Sequence, residues 1–303
     1  MSDRLILGGG NFGGIGSAPD LFGQGESEAE AFALMDAAWD AGVRWFDTAD
    51  AYGGGRSERF IGNWIRASGN RPRLTTKTYN PMEAGADRGL APARIRRQLE
   101  SSLERLGVDR VDVYLAHEFD PDTPLEETFA AFQQLAAEGL AGAYGVSNFD
   151  GAQLGRAVEI GRPAVVQNSY SLLERGDEAE VLPLCAEHGL EYQAFSPLAG
   201  GWLSGKYRAG RPFPAGSRMS LRPGPYEHLV HERTFRALEA LEDAAAVRGT
   251  DTATIAIAWL LSHPAVTAVV VGPRRPEHLR PALAAAELRL SGADRASLSA
   301  SFA

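Results

Sequence analysis

Cysteine is almost absent. Cys185 is the single one in 303 residues, so no disulfide can form within the chain, and a reducing compartment is the expectation. No apolar run approaches the length of a membrane span. The opening M-S-D-R-L-I-L-G-G-G lacks the basic start and long hydrophobic stretch of a signal peptide, which points to the cytoplasm. Basic residues are outnumbered, 30 against 39 acidic, for a net charge of −9 and an isoelectric point near 5.3. That balance argues against a nucleic-acid or anionic-membrane surface. Low-complexity linkers and sequence-level repeats are missing too. What is there is an ordinary globular composition, 44% hydrophobic and 23% charged, able to bury a sizeable core.

Hydrophobic periodicity alternates along the chain. Strand-like runs at 5–7, 43–47, 74–78, 111–116, 143–147, 164–167, 190–195 and 266–271 are separated by helical patterns. The helices are expected at 27–40, 57–68, 92–106, 126–138, 152–160, 178–188, 229–248, 252–262, 276–286 and 292–299. The run S-E-A-E at 27–30 reads as a capping box, Pro92 as a first-turn residue, and Gly42 and Gly107 as helix stops. The stretch 198–225 is rich in glycine and proline and reads as too polar for core. Eight strand–helix units imply an α/β chain with a parallel sheet. A closed (β/α)₈ TIM barrel spanning 1–303 as one domain fits better than an open doubly wound sheet.

In such a barrel every strand ends at the active-site face. The residues expected there are Asp47, Lys77, His117, Ser147 with Asn148, Gln167 with Asn168, Ser196 and Gly272. A lysine within the strand L-T-T-K-T-Y is costly to bury unless paired, and Asp47 is the obvious partner. Such a pair is often only structural. Here Tyr52 follows five residues after Asp47, and a phenol titrates near 10, so Lys77 is expected to lower it toward use as a proton donor. His117 is placed to hydrogen-bond a substrate oxygen. These are parts for carbonyl reduction. Phe12, Phe22, Tyr79, Phe119 and Trp202 follow strand ends and offer an apolar substrate wall, with ordinary packing the alternative for each. The glycines at 8–13 match G-x-G-x-x-G, but no helix opens within the motif, which disfavours a Rossmann site. His228 and His231 lack a metal-completing cluster, so no metal is expected.

Essentially the whole length resembles the aldo-keto reductase superfamily. The matching stretches are W-F-D-T-A-D-A-Y-G at 45–53, T-T-K-T at 75–78, Y-L-A-H at 114–117 and G-V-S-N-F at 145–149. To these add V-Q-N at 166–168, F-S-P-L-A-G-G-W-L-S-G-K-Y at 195–207 and V-G-P-R-R-P-E-H-L at 271–279. The resemblance implies NADP(H)-dependent reduction of a small aldehyde or ketone, with Asp47, Tyr52, Lys77 and His117 as the catalytic tetrad. It implies that Ser147, Asn148 and Gln167 hold the nicotinamide carboxamide and that Phe195 stacks on the ring. Ser196, Pro197, Leu198 and Gly200 would follow the pyrophosphate, with Lys206 and Arg218 closing over it. Gly272 and Arg274 would face the adenosine 2′-phosphate, and His278 the adenine.

Three departures accompany the likeness. The family's N-terminal hairpin is expected to be missing, because the first strand begins almost at Met1. His278, Pro281 and Ala282 replace hydrogen-bonding groups around the adenine, which admits NADH beside NADPH. The stacking ring is Phe195 rather than tyrosine or tryptophan. The similarity is to the branch that includes potassium-channel β-subunits, so a nucleotide-binding regulatory subunit is the rival reading.

Overall fold

Eight strands, β1 (Leu5–Gly8), β2 (Trp45–Asp47), β3 (Arg73–Thr78), β4 (Val111–Ala116), β5 (Ala141–Ser147), β6 (Val165–Ser169), β7 (Glu191–Phe195) and β8 (Val266–Val271), pair in parallel, each with the next. Strand β8 returns to β1 and closes the barrel, so the sheet has no free edge. The computed structural model describes residues 2–302. The helices between and after the strands are α1 (Glu28–Asp40), α2 (Arg56–Ser68), α3 (Pro92–Leu106), α4 (Leu125–Ala137), α5 (Gly151–Ile160) and α6 (Val181–His188). Beyond β7 come α7 (Arg218–Leu221), α8 (Glu232–Val247) and α9 (Thr252–Leu261), and beyond β8 come α10 (Arg280–Glu287) and α11 (Gly292–Ser301). A single 3-10 turn, Ser2–Arg4, precedes β1 among the described residues.

Strand side chains alternate between two cores. Outward residues such as Leu5, Leu7, Phe46, Tyr114 and Val166 pack beneath the helices. Inward residues Ile6, Trp45, Val113, Leu115, Val165, Ala268 and Val270 form a separate cluster inside the barrel. Trp45 joins it with a hydrogen bond from its indole N–H to the Thr75 hydroxyl, 2.8 Å. Two residues further along each strand, the parity returns inward at Asp47, Lys77, His117, Gln167 and Gly272. The parallel register sets these at neighbouring heights: Asp47 pairs with Thr75, and Ser147 with Gln167.

The expected elements are all present, with shifts at their ends. Ser27 and Glu30 form the capping box of α1, and Gly107 closes α3 in the left-handed conformation. Strand β2 begins at Trp45 because the Val43 amide bonds back to the Ala38 carbonyl of α1, 2.9 Å, rather than to the sheet. Helix α8 begins at Glu232 because the His231 ring accepts from the Thr234 amide, 3.2 Å, and caps it. The connection from β7 to α8 corrects the expectation most. Far from lacking core, it buries Ala199, Trp202, Leu203, Tyr207 and Met219 completely or nearly so. Trp202 is packed edge-on or tilted against Tyr207, Phe213 and Phe235, with centroids 5.0 to 6.0 Å away. This strap is anchored by its own aromatic cluster.

Candidate active site

Asp47 ends β2 and Lys77 lies one residue before the end of β3, both pointing into the barrel mouth and both at most 2% exposed. The Lys77 ammonium donates to Asp47 Oδ1 at 2.5 Å, to the Thr48 carbonyl at 3.0 Å and to the Tyr52 hydroxyl at 3.5 Å. Burial alone would pull the ammonium toward neutrality. The Asp47 charge and Tyr52 outweigh it and hold Lys77 above its ordinary value, as a cation. The other Asp47 oxygen accepts from the Gln167 amide at 2.8 Å, which leaves the carboxylate fixed from two sides.

Tyr52 opens a 3-10 turn between β2 and α2, where Gly53, Gly54 and Gly55 all take positive φ. A side chain at Gly53 would drive a Cβ to 2.8 Å from the Gly13 backbone, so the loop closes this tightly only with glycine. The phenol oxygen lies 3.4 Å from His117 Nε2. Lys77 does favour the phenolate, as expected, but burial is the larger effect and the phenol titrates above its ordinary value. The expectation of a lowered phenol is therefore corrected. At neutral pH the hydroxyl is protonated, the state a proton donor requires. Burial, and secondarily the Lys77 charge, push His117 well below its usual range, so its ring is neutral. His117 Nδ1 is buried without a partner among the described residues.

Around this group the strand ends carry backbone strain. Asn148 after β5 and Ser196 after β7 have φ of 58° and 57°, a region non-glycine residues enter at a cost of order 1–3 kcal/mol. Asn148 uses the turn to donate to the His117 carbonyl, 2.9 Å. Ser147 and Pro197 are buried, while Phe195 and Leu198 are half-buried, with Phe195 packed on the inner barrel cluster. Gly200 lies under the Tyr226 ring, and the Lys206 ammonium lies against Gly201. Arg218 donates to the Asn11 side chain. Gly272, Arg274 and His278 are exposed along the β8–α10 connection, and Arg274 reaches Glu26 Oε1 at 2.7 Å and the Gly216 carbonyl at 3.0 Å. Lys206, Arg218 and Arg274 thus gather at one side of the mouth. Asn168 falls outside the group, bonded instead to the Phe149 carbonyl and Asp177.

The sequence profile of the aldo/keto reductase family matches residues 4–301. The chain belongs to that family. It is 38% identical over 287 residues to the uncharacterized oxidoreductase YrpG of Bacillus subtilis (strain 168), covering 89% of this chain and 86% of that protein. It is 35% identical over 272 residues to a probable voltage-gated potassium channel subunit beta of Oryza sativa subsp. japonica, covering 85% and 82%. The glycerol dehydrogenase AKR11B4 of Gluconobacter oxydans superposes with a TM-score of 0.84 at 27% identity, over 98% of this chain and 90% of that one. The closed barrel also removes the Rossmann alternative: the glycine run leaves β1 into a loop, and the next α-helix waits until Glu28. Among the described residues no helix is long and apolar enough to cross a membrane.

Of the five aromatics expected to wall the pocket, Phe22, Tyr79 and Phe119 are half-buried, with Phe119 edge-on to Phe149. Phe12 and Trp202 are a correction. Both are at most 1% exposed, enclosed by protein, and offer no surface to a small molecule. Glu118 was missed. It follows His117, accepts from the Asn148 amide at 3.2 Å, and burial alone lifts its carboxyl to about 7. Glu26 was missed as well, hidden in the sequence as a polar flank of the α1 cap.

Proposed function

We propose that this aldo/keto reductase reduces an aldehyde or ketone to the alcohol, with Tyr52 as general acid and NADPH as the cofactor. The observation that carries the reading is the phenol oxygen held 3.5 Å from the Lys77 ammonium and 3.4 Å from His117 Nε2 at the barrel mouth. A bound reduced nicotinamide supplies the hydride that adds to the carbonyl carbon. Negative charge then grows on the carbonyl oxygen. A neutral His117 ring carrying its proton on Nε2 donates to that oxygen and orients it, and the Tyr52 O–H bond breaks as the new alcohol O–H bond forms. The phenolate left behind lies next to the Lys77 charge, which Asp47 keeps in place, and it regains its proton from solvent.

The residues present fit a dinucleotide. Lys206, Arg218 and Arg274 stand near enough for their charges to oppose one another, in a protein whose net charge is −9. An anionic ligand relieves that concentration of positive charge. Ser147, Asn148, Gln167 and Phe195 would hold the nicotinamide end, Ser196, Pro197, Leu198 and Gly200 the pyrophosphate, and the 198–225 strap would cover it. Gly272, Arg274 and His278 would meet the adenosine end.

The test is Tyr52→Phe, assayed with a panel of small aldehydes and ketones. Turnover should fall by a factor of about 10² to 10⁴, the usual worth of a positioned acid, with dinucleotide affinity unchanged. Undiminished turnover would remove Tyr52 as the acid. The likeness to proteins described as potassium-channel β-subunits favours a second reading, a dinucleotide-binding regulatory subunit. Tight dinucleotide binding by the wild type with no turnover on any carbonyl would select it.

A further inference from the structure

The carboxylate of Glu26 is the unexpected member of the cationic side of the mouth. Its backbone is stapled into the β1–α1 loop by Glu26 N to the Asn11 carbonyl and Gly13 N to its own carbonyl, both 2.8 Å. The side chain is 3% exposed. Oε1 accepts from Arg274 Nε at 2.7 Å, whereas the buried Oε2 has no partner among the described residues. Arg274 also donates to the Gly216 carbonyl of the strap, and Arg218 of the strap donates to Asn11. Three segments therefore meet at Glu26: the β1–α1 loop, the strap and the β8–α10 loop.

We propose that Glu26 is a specificity-determining residue that offsets the site's attraction for a phosphate monoester and so lets an unphosphorylated dinucleotide compete with a 2′-phosphorylated one. This rests on the dinucleotide reading above. The cluster sums Lys206, Arg218 and Arg274 against Glu26, a net charge of +2 where the cations alone give +3. A 2′-phosphate brings about two negative charges to such a site. It meets a guanidinium whose Nε is already committed and a fixed carboxylate that repels it. A ribose 2′-hydroxyl is neutral and meets no such repulsion from the buried carboxylate.

The experiment is a fluorescence titration of wild type and Glu26→Gln with NADH and with NADPH, which reads binding without turnover. Wild type should bind the two within about tenfold of each other. Glu26→Gln should raise the preference for NADPH by about tenfold or more, chiefly by tightening NADPH. Adding Arg274→Gln should abolish that gain. Adenosine 2′-monophosphate, competed against the bound dinucleotide, should follow NADPH. A ratio unmoved by Glu26→Gln in a variant that melts like wild type overturns the proposal. So does a shift toward NADH. If wild type binds neither dinucleotide, the cofactor reading itself falls and this one with it, an outcome distinct from binding of both with an unmoved ratio.

Discussion

Two groups at the mouth are set by their surroundings to opposite protonation behaviour near neutral pH. The His117 ring is neutral down to well below its ordinary 6.5, because burial and the Lys77 charge both oppose a second positive charge there. Glu118, one residue on, has its carboxyl lifted to about 7 by burial. Among the described residues no basic side chain is salt-bridged to it, and the Asn148 amide at 3.2 Å is a modest compensation. A titration near pH 7 in kcat/KM therefore belongs to Glu118 rather than to the imidazole. Above that value its charge, which disfavours the Tyr52 phenolate, opposes the negative charge that the proposed reaction develops at the mouth, so kcat/KM for a neutral aldehyde should decline as pH rises through about 7. Glu118→Gln should remove that limb and leave the profile flat across it. Retention of the limb in the variant would return the titration to another group.

Elements were legible in the sequence where a local pattern decides them. Alternation gave the strands, and their parity then fixed which of Asp47, Lys77, His117 and Gln167 face inward. Contacts across long separations were not legible. Glu26 and Arg274 are 248 residues apart, and nothing near either announces the other. The direction of the Tyr52 shift was misjudged for a related reason, since burial is a property of the assembled mouth and Lys77 of the local motif. The strap looked like loop because its apolar residues, Trp202, Leu203, Tyr207 and Met219, are spaced by glycine and charge without a period. Its core makes it a shaped element, with Gly200 at φ 63° pressed under the Tyr226 ring. Gly200→Ala adds a Cβ 2.5 Å from that ring, beyond the left-handed strain itself. Gly210 has φ of 66° with nothing within 4 Å, so Gly210→Ala carries the strain alone, of order 1–2 kcal/mol. Gly200→Ala should speed dinucleotide release about tenfold or more, and Gly210→Ala far less. Equal effects from the two would mean that the Tyr226 contact does not hold the strap over the ligand.

For the molecule as a whole, stability against pH is a contest between carboxylates. Asp120 and Glu178 titrate below their ordinary values: burial acts against this, but hydrogen bonds, and for Glu178 the Arg175 charge, prevail. They stabilise the fold at neutral pH and lose that contribution as acid protonates them. Asp50 works in the opposite sense. It is fully buried between β2 and the Tyr52 turn, accepts from the Ala51 amide at 2.6 Å and the Thr78 hydroxyl at 2.7 Å, and has Glu58 nearby. Burial, with the Glu58 charge, lifts it from 3.8 to about 7, against the opposing pull of Thr78, Arg94 and Ala51. A raised carboxyl contributes stability that is complete below its unfolded value and disappears as pH climbs through the folded one. Between pH 5 and 8 the fold should thus lose about 2–3 kcal/mol through Asp50, at 1.36 kcal/mol per unit crossed. His117 adds the opposite trend through 6.5, because the unfolded ring gains a proton there and the buried one does not, while Glu118, also lifted to about 7, adds to the loss, so the wild-type curve alone will not separate the three. Asp50→Asn isolates the carboxyl. Its Oδ1 can still accept from Ala51, and the Thr78 hydroxyl can turn to accept from the new amide while keeping the Arg94 bond at 2.8 Å. Denaturant unfolding of both proteins at pH 5 and pH 8 should show the variant gaining on wild type by about 2–3 kcal/mol as pH rises. Parallel behaviour would mean that Asp50 is ionised throughout, held by Arg94 as an ion pair at the base of the Tyr52 turn.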